Sequence, residues 1–456
     1  MSILSRRRFL GASGSSALAL GLRSAITGLP LSFLLHGRAN GQEAGSKIAI
    51  LAASGAGEPV NVGGPGTFDP EALEFFQHPI AAEVDAGDVG TVMVNGQTLD
   101  ASDLEASTEV LLGPQVVRMA RAYGALPDAL RDHLTWFYYR TGAGIHPEFP
   151  AVITAHGSLH AEDGRGTEQV FAGIAQETAP LLNTVTADPF VLGGGDFSSR
   201  GAPLARYSPT EVKALAMSAG NGGVDPNNFA VMYDYLIDEA YGEVKAKGTP
   251  AQRRFFDQQA SSREKAASFG QSLGQMLVDI VDDTIESQLK TALILAKLRL
   301  APTIITGYAL GGDNHSDADL TQESAETLQM VKALDTYWKN AGDLGVLDDV
   351  VFATVDVFGR GCRRGVKGGR GHHGDMTAGL VLGAHLQGGV VGGITTESGT
   401  ARASGIHSAT GGATDADVAP EDTLRSYYKT LLRVAGVPAE RREVRIPTGT
   451  EVTSQG

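Results

Sequence analysis

Five side chains of types that bind metal ions lie in two short Gly-rich segments. Asp313 and His315 stand in GGDNHSD, and His372, His373 and Asp375 stand in GGRGHHGD. Imidazole nitrogens mixed with carboxylates suit Zn²⁺, Mn²⁺ or iron, whereas a calcium site would use oxygen ligands. In an extended Asp-x-His segment the two side chains share one side of the backbone and can meet one ion. The two segments predict a divalent metal site, with Zn²⁺ or Mn²⁺ expected; the alternative is that the adjacent histidines are ordinary surface residues.

A third polar segment joins a hydroxyl to several histidines. Thr141, His146, His156 and His160 lie in a Gly-containing stretch over residues 136–160. A hydroxyl beside a histidine allows nucleophilic chemistry if the fold brings the two together. The alternative for each of these histidines is a place in a loop or a helix cap.

Charge and cysteine content narrow the function classes. The formal net charge is -15, and residues 1–41 hold five arginines and no acid, so the remainder carries 32 basic and 52 acidic residues. Such an acidic chain disfavours a nucleic-acid partner. Its single cysteine, Cys362, excludes an intrachain disulfide.

Residues 1–41 have the features of an export signal. SRRRFLG (Ser5–Gly11) matches the twin-arginine pattern, and a mildly apolar stretch follows to about Leu35. The alternative is an N-terminal membrane helix, which Arg23 and the glycines disfavour. We therefore expect recognition by the twin-arginine export machinery, no stable membrane span after cleavage, and a periplasmic or extracellular location.

Short apolar runs predict the strands that would position the polar segments. The runs over residues 47–54, 190–197, 302–310 and 350–358 have the length and composition of buried strands. A helix predicted over 321–341 makes the last two runs a strand–helix–strand unit, which implies parallel strands. Ligands bind outside the carboxyl ends of such strands, and both Asp/His clusters are expected there.

Further helices are predicted over 102–123, 127–139, 271–298 and 421–435, and a frayed tail over 441–456. SPTE (208–211) has the Ser, Pro and Glu of a helix start, and Asp225-Pro226 resembles another. With no internal repeat or low-complexity linker, residues 42–456 are predicted to form one α/β domain. Its sheet should be mainly parallel and flanked by helices, with a helical insertion at about 205–300.

Three segments resemble motifs of a family of exported bacterial proteins called domain of unknown function 1501. That family carries a twin-arginine signal, a motif like GWDTH and then, after a helix and a strand, SEFGRT and a DHG-type loop. This chain has LGGDNHSD, TVDVFGRG and GHHGD in those places, and its stretch over 422–438 is also similar. The family looks related to the alkaline-phosphatase and sulfatase superfamily.

The resemblance implies an alkaline-phosphatase-like fold and hydrolysis of a small anionic phosphate or sulfate ester. Such enzymes hold one or two metal ions on Asp and His at strand ends. Asp313 and His315 match the family's first Asp-His pair, and His373 matches the His of DHG. His372 stands where that motif has Asp, and Asp375 falls where a second His often stands.

The remaining implied roles follow the same motifs. Asp356 takes the Ser place of SEFGRT and, with Asp375, would supply carboxylates to a rearranged metal site. His146 matches a histidine of a similar family loop, and Thr141 and Ser54 are candidate nucleophiles. Arg360 would bind an anionic group with its two-pronged donors, or brace the loop. The alternative to a hydrolase is a non-catalytic exported binding or envelope protein on the same fold.

Overall fold

A computed structural model describes residues 45–69, 89–182, 184–220, 249, 270, 272–307, 313–364 and 368–454. The predicted signal over 1–41, the helix start at Asp225-Pro226 and part of the predicted insertion lie outside the described residues. In the described chain, no helix has both the length and the apolar character needed to cross a membrane.

An eight-stranded sheet forms the centre of the described structure. Its strands in chain order are β1 (Ile48–Ser54), β2 (Leu134–Tyr139), β3 (Phe190–Gly193), β4 (Arg206–Tyr207), β5 (Thr303–Gly307), β6 (Val350–Asp356), β7 (Thr377–Leu382) and β8 (Gly389–Val391). Their spatial order is β4-β3-β5-β1-β6-β7-β2-β8. Within this sheet β7 is antiparallel to both neighbours and the other strands run in one direction. The predicted mainly parallel sheet is confirmed.

Helices cover both faces of the sheet, so the predicted α/β class is confirmed. The longer helices are α1 (Val170–Leu182), α2 (Pro209–Gly220), α3 (Ile285–Lys297), α4 (Thr321–Leu344), α5 (Thr423–Val434) and α6 (Ala439–Arg445). Alternate residues of β1 point to opposite faces, where Ile50 packs in one core with α3 and α4 and Leu51 in the other with α1 and α5. Burial on both faces explains why β1 is a continuous apolar run.

Short hairpins and turns complete the described chain. The hairpin strands are Val92–Val94 with Gln97–Leu99, Ser107–Leu112 with Gln115–Ala120, Ser198–Ser199 with Ala202–Pro203, Gly359–Arg364 with Arg370–His373, and Ile394–Glu397 with Thr400–Ala403. The short helices are Pro59–Asn61, Ser102–Glu105, Arg121–Gly124, Asp128–Arg131, His146–Glu148, Phe149–Val152 and Pro420–Asp422. We call Gly359–Arg364 with Arg370–His373 the site hairpin.

The helix start predicted at SPTE is confirmed by its hydrogen bonds. The Glu211 amide donates to Ser208 Oγ at 3.2 Å, and the Ser208 amide donates to the Glu211 carboxylate at 2.7 Å. Each side chain thus satisfies a backbone donor that the first helical turn leaves without a partner.

Two helices predicted early in the chain are wrong. Residues 107–120 form a hairpin between two one-turn helices, and residues 134–139 form the buried strand β2. The sequence of β2, LTWFYY, is rich in aromatic residues that favour strands once both faces are covered. Tertiary burial has overridden the helical appearance of this region.

The long helix predicted over 271–298 is confirmed in its second half and wrong at its start, because α3 begins only at Ile285. Thr284 ends the preceding irregular stretch as an N-cap, its side chain accepting a hydrogen bond from the Ser287 amide. The predicted frayed tail is wrong as well. Arg445 of α6 is fully buried and donates to Glu177 at 2.7 Å.

Candidate metal centre

The carboxyl ends of three neighbouring parallel strands form the edge of the sheet where the site lies. In the register of β1 with β6, Ser54 is the partner of Asp356, so the two strands end level. The segment that carries Asp313 and His315 follows β5, and the site hairpin follows β6. Loops of these strands meet because parallel strands deliver their following segments to one side.

Four side chains from three loops converge at this edge. His146, Asp313, His315 and His372 each offer one ligand atom, and these atoms all lie within 4.8 Å of one another. The ring centroids of His146 and His372 are 4.6 Å apart, and those of His315 and His372 are 5.6 Å apart. We call these four residues the metal cluster, because three imidazoles and one carboxylate can hold a metal ion.

Main-chain carbonyl groups orient two of the three imidazole rings. Nδ1 of His146 lies 2.8 Å from the Gly55 carbonyl oxygen, and Nδ1 of His372 lies 2.9 Å from that of Gly144. A carbonyl oxygen only accepts, so each Nδ1 carries the proton and each neutral ring keeps the Nε2 lone pair for a ligand. Both Nε2 atoms are buried without a hydrogen-bond partner. Metal-binding histidines usually have this arrangement, in which the ring nitrogen that does not bind the metal donates to a carbonyl or carboxylate oxygen.

The same logic applies to His315, with a carboxylate as acceptor. His315 Nδ1 lies 2.6 Å from Oδ1 of Asp313, which also accepts a hydrogen bond from Arg360 Nη2 at 2.9 Å. The other carboxylate oxygen, Oδ2, is 3.3 Å from His146 Nε2. Ligands bound at ~2.0–2.2 Å to one tetrahedral zinc ion would be spaced by roughly this distance. This pair of donor atoms therefore has the spacing of two ligands on one ion.

Protonation states at the metal cluster favour metal binding near neutral pH. Burial alone would raise the pKa of Asp313, but hydrogen bonds from His315 and Arg360 and the charge of Arg360 lower it to about 2. Burial lowers the pKa of His372 below its ordinary value, against the opposing effect of its bond to Gly144. A carboxylate and a neutral imidazole are the forms that coordinate metals.

Arg360 contacts the metal cluster through Asp313. Its side chain is fully buried and donates to the carbonyl groups of Gly57 at 2.6 Å and Ala56 at 2.5 Å, in addition to Asp313. These contacts brace the loop after β1, which is one of the two predicted roles of Arg360. Its predicted contact with an anionic substrate stays a prediction.

The structure does not bring His373 and Asp375 into the metal cluster. His373 Nε2 lies 2.5 Å from the Ala401 carbonyl oxygen, and an Asp375 oxygen lies 3.5 Å from Nε of Arg402. Successive residues of a strand point to opposite sides, so His372 and His373 cannot both face one ion. The predicted roles of His373 and Asp375 as ligands stay predictions, and the proposed site does not include them.

Asp356 is buried and contacts the amides of the loop after β1, whereas Arg360 contacts the carbonyl groups of that loop. Its carboxylate accepts hydrogen bonds from the amides of Gly57 at 3.1 Å and Glu58 at 2.7 Å. Burial, and then the nearby charge of Glu58, raise the pKa of Asp356 well above its ordinary value. Its predicted role as a ligand stays a prediction.

The two candidate nucleophiles are engaged inside the protein. Thr141 Oγ1 lies 3.3 Å from the Gly374 carbonyl oxygen and accepts from the Ala143 amide. Ser54 Oγ donates to a Glu58 oxygen at 2.5 Å. Both residues are buried, and the predicted role of each as a nucleophile stays a prediction.

Sequence reasoning placed three of the four cluster residues among the metal ligands and missed His146 in that role. It also missed the oxygens of Gly55 and Gly144 that orient the rings. Those acceptors are main-chain atoms, and no side chain in the sequence signals them.

Comparison with known proteins gives only distant similarities. No family model matches the chain, and no curated protein matches it either. Similar solved structures include Ps i-CgsB, at 11% identity, TM-score 0.35, and 89% coverage of this chain and 75% of that one. The complex of Ps i-CgsB with k-i-k-neocarrahexaose has the same identity and coverages and a TM-score of 0.34. The PH0037 protein from Pyrococcus horikoshii is 12% identical, with coverages of 78% and 91% and a TM-score of 0.20. At these scores no residue role is carried over from any of them.

Proposed function

We propose that this protein is an exported, metal-dependent hydrolase of phosphate or sulfate esters. Its divalent ion, Zn²⁺ or Mn²⁺, would be held by His146, Asp313, His315 and His372. The observation that supports this most directly is the set of Nε2 lone pairs of His146 and His372 beside the Asp313 carboxylate. The resemblance to exported proteins related to alkaline phosphatases and sulfatases supports the reaction class and the location.

The metal cluster contains buried polar atoms that a bound cation would satisfy. A buried polar atom with no partner costs about 1–3 kcal/mol, and the cluster holds two such nitrogens. With both rings neutral, His146 Nε2 and Asp313 Oδ2 have no proton between them at 3.3 Å. A bound divalent ion would satisfy all three atoms. The nitrogen-rich set favours Zn²⁺ over Ca²⁺ or Mg²⁺.

The residues around the metal cluster would keep its ligands in the protonation states and orientations that an ion binding an anionic ester requires. A divalent ion there supplies a Lewis acid that stabilises charge developing on ester oxygens. Arg360 holds Asp313 in its ionised form, and the Gly55 and Gly144 carbonyls hold two imidazoles in the tautomer that binds metal. Phe358 stacks on His372 with ring centroids 4.3 Å apart and shields one face of that ring from water.

Elemental analysis and an ester panel test the proposal together. The purified full-length protein should contain about one equivalent of Zn²⁺ or Mn²⁺, and the double variant His146→Ala/His372→Ala should lose it. His407→Ala, a partly exposed histidine of another loop, is the matched control and should keep the metal. Turnover of p-nitrophenyl phosphate or sulfate should disappear with the metal. A metal-free wild type, or metal retained by the double variant, would contradict the proposal.

A non-catalytic exported binding protein on the same fold is the second candidate. The observation that favours it is the engagement of both candidate nucleophilic hydroxyls inside the protein, that of Thr141 with Gly374 and that of Ser54 with Glu58. This candidate predicts a stably bound metal with no turnover across the ester panel. Metal-dependent turnover would exclude it.

A further inference from the structure

We infer that Glu323 is a positioning residue that holds the two metal-binding segments against each other. One segment carries Asp313 and His315, and the other is the site hairpin with His372. The Glu323 carboxylate contacts Asn314 and Arg370, and it acts on the metal cluster through these two residues. The inference rests on the proposed metal site.

The first contact joins Glu323 to the Asp313–His315 segment. Asn314 lies between the two ligands in the chain and is fully buried. Its Nδ2 donates to Glu323 Oε2. Asp313 is exposed and His315 is half-buried, so the middle side chain points into the protein and its two neighbours do not. Anchoring Asn314 inward therefore fixes the side on which Asp313 and His315 emerge.

The second contact joins Glu323 to the site hairpin. Arg370 Nε lies 2.8 Å from each carboxylate oxygen of Glu323, and the guanidinium also donates to the Cys362 carbonyl at 2.8 Å. Arg370 is 2% exposed and stands two residues before His372. The ion pair thus ties the strand that carries His372 to the same carboxylate.

The two segments also touch directly through their backbones. The Arg370 amide donates to the Asn314 carbonyl at 3.3 Å. A Cβ atom at Gly369 would lie 1.9 Å from that carbonyl oxygen, so only glycine permits the approach. The backbones of the two segments are therefore in close contact at Asn314 and Gly369, and the Glu323 carboxylate binds the side chains next to this contact.

Glu323 is itself fixed by helix α4. It is the third residue of that helix, and its amide donates to Asp317 at 2.9 Å. A carboxylate is favoured at a helix start, where backbone amides point outward. Helix α4 packs into the core through residues such as Leu328 and Val331. The brace is therefore built on a rigid element, which a site of defined geometry requires.

Metal binding by the full-length protein tests this role. Glu323→Gln keeps the size of the side chain and removes the charge that pairs with Arg370. Loss of such supporting groups typically weakens metal affinity about 10–100-fold. We expect a loss of that size for Zn²⁺, measured by competition with a chromophoric chelator. We also expect a changed visible absorption spectrum of the Co²⁺-substituted protein, because that spectrum reports ligand geometry.

Asp335→Asn is the matched control on the same helix. Asp335 is 3% exposed and pairs with Lys339 at 2.7 Å, away from the metal cluster. It should lower the melting temperature as Glu323→Gln does and leave Zn²⁺ affinity and the Co²⁺ spectrum unchanged. Equal losses of affinity in both variants, or no loss in Glu323→Gln, would overturn the positioning role.

Two further arms keep the test decisive. If Glu323→Gln does not fold, Asn314→Ala, which retains the Glu323–Arg370 ion pair, should still reduce affinity at least about tenfold. An unchanged affinity in that variant would overturn the inference. A wild-type protein that binds neither Zn²⁺ nor Co²⁺ would overturn the proposed function itself, whereas tight wild-type binding unaffected by these changes would overturn the positioning role alone.

Discussion

His146 Nε2 and Asp313 Oδ2 lie 3.3 Å apart at the edge of the sheet, each with a lone pair when the imidazole is neutral. Two such atoms repel each other unless a cation lies between them. Metal removal should therefore destabilise the folded protein. A ligand present at one hundred times its dissociation constant stabilises a protein by about 2.7 kcal/mol. We expect a melting temperature several degrees lower after chelation, restored by Zn²⁺, with no response in His146→Ala/His372→Ala.

Metal affinity should depend on pH through the histidines. The pKa of His372 lies below the ordinary value of 6.5 because the ring is buried. Protons compete with the metal only at a pH where the ring can be protonated. Zn²⁺ affinity should therefore stay constant near neutral pH and decrease when the pH drops below 6.5. Isothermal titration across this range checks it. Affinity that already falls between about pH 8 and 7 would contradict the lowered pKa of His372.

The metal-free protein should also lose stability in acid. The folded-state pKa values of His372, His373 and His385 are all lowered by burial. The unfolded chain then binds more protons below 6.5, so stability falls as the pH drops through that value and levels off once the folded-state pKa values are passed. Urea unfolding with chelator at several pH values measures this. His385→Gln should reduce the slope without changing metal affinity.

Gly57 should resist any side chain. Its φ is +79°, and an added Cβ would lie 2.0 Å from the ring of Phe358, which stacks on His372. Gly57→Ala should cost the strain of a left-handed residue and also displace Phe358, about 2–4 kcal/mol in all, and should weaken Zn²⁺ binding.

Gly201→Ala is the control for that prediction. Gly201 has a φ of +74° and no atom within 4 Å of an added Cβ. It should cost only about 1 kcal/mol in urea unfolding and leave metal affinity unchanged. Equal effects of the two substitutions on Zn²⁺ binding would show that Phe358 does not support the metal cluster.

The C-terminal helix should contribute measurably to stability. Arg445 is fully buried and pairs with Glu177 at 2.7 Å. Glu177 keeps Arg441 as a second partner at 2.7 Å, so removing Arg445 costs the hydrogen bonds of one buried charged group, about 1.5–3 kcal/mol. Arg445→Met should lower the urea midpoint strongly without changing Zn²⁺ affinity. A change below about 1 kcal/mol would contradict the packing of this helix.

Local pattern predicted much of the fold, because the strands of the sheet centre are buried on both faces. Ile48–Ser54 and Val350–Asp356 are short, mainly apolar stretches of the length that buried strands have. The helix predicted over Leu134–Tyr139 is wrong, because this aromatic run has no alternation and its strand partners lie far along the chain. Non-local pairing decided that element.

The metal cluster was predictable in its residue types and only partly in its membership. Asp313 and His315 were expected together because alternate residues share a side. For His372 and His373 the same rule says that only one can face the ion. Which one does so depends on the register of the site hairpin, in which His372 pairs with Arg360 and His373 with Gly359. That register is a three-dimensional property and is absent from the local sequence.

Backbone carbonyls, rather than side chains, aim the imidazoles of His146 and His372. A scan that replaces every side chain in turn would therefore leave these two aiming groups chemically intact. Insertions or deletions in the loops at Gly55 and Gly144 would move them, so loop length should limit how far this centre can diverge. Replacing the Gly55–Ala56 or Gly144–Ile145 amide by an ester, which weakens the carbonyl as an acceptor, is the substitution that reaches them.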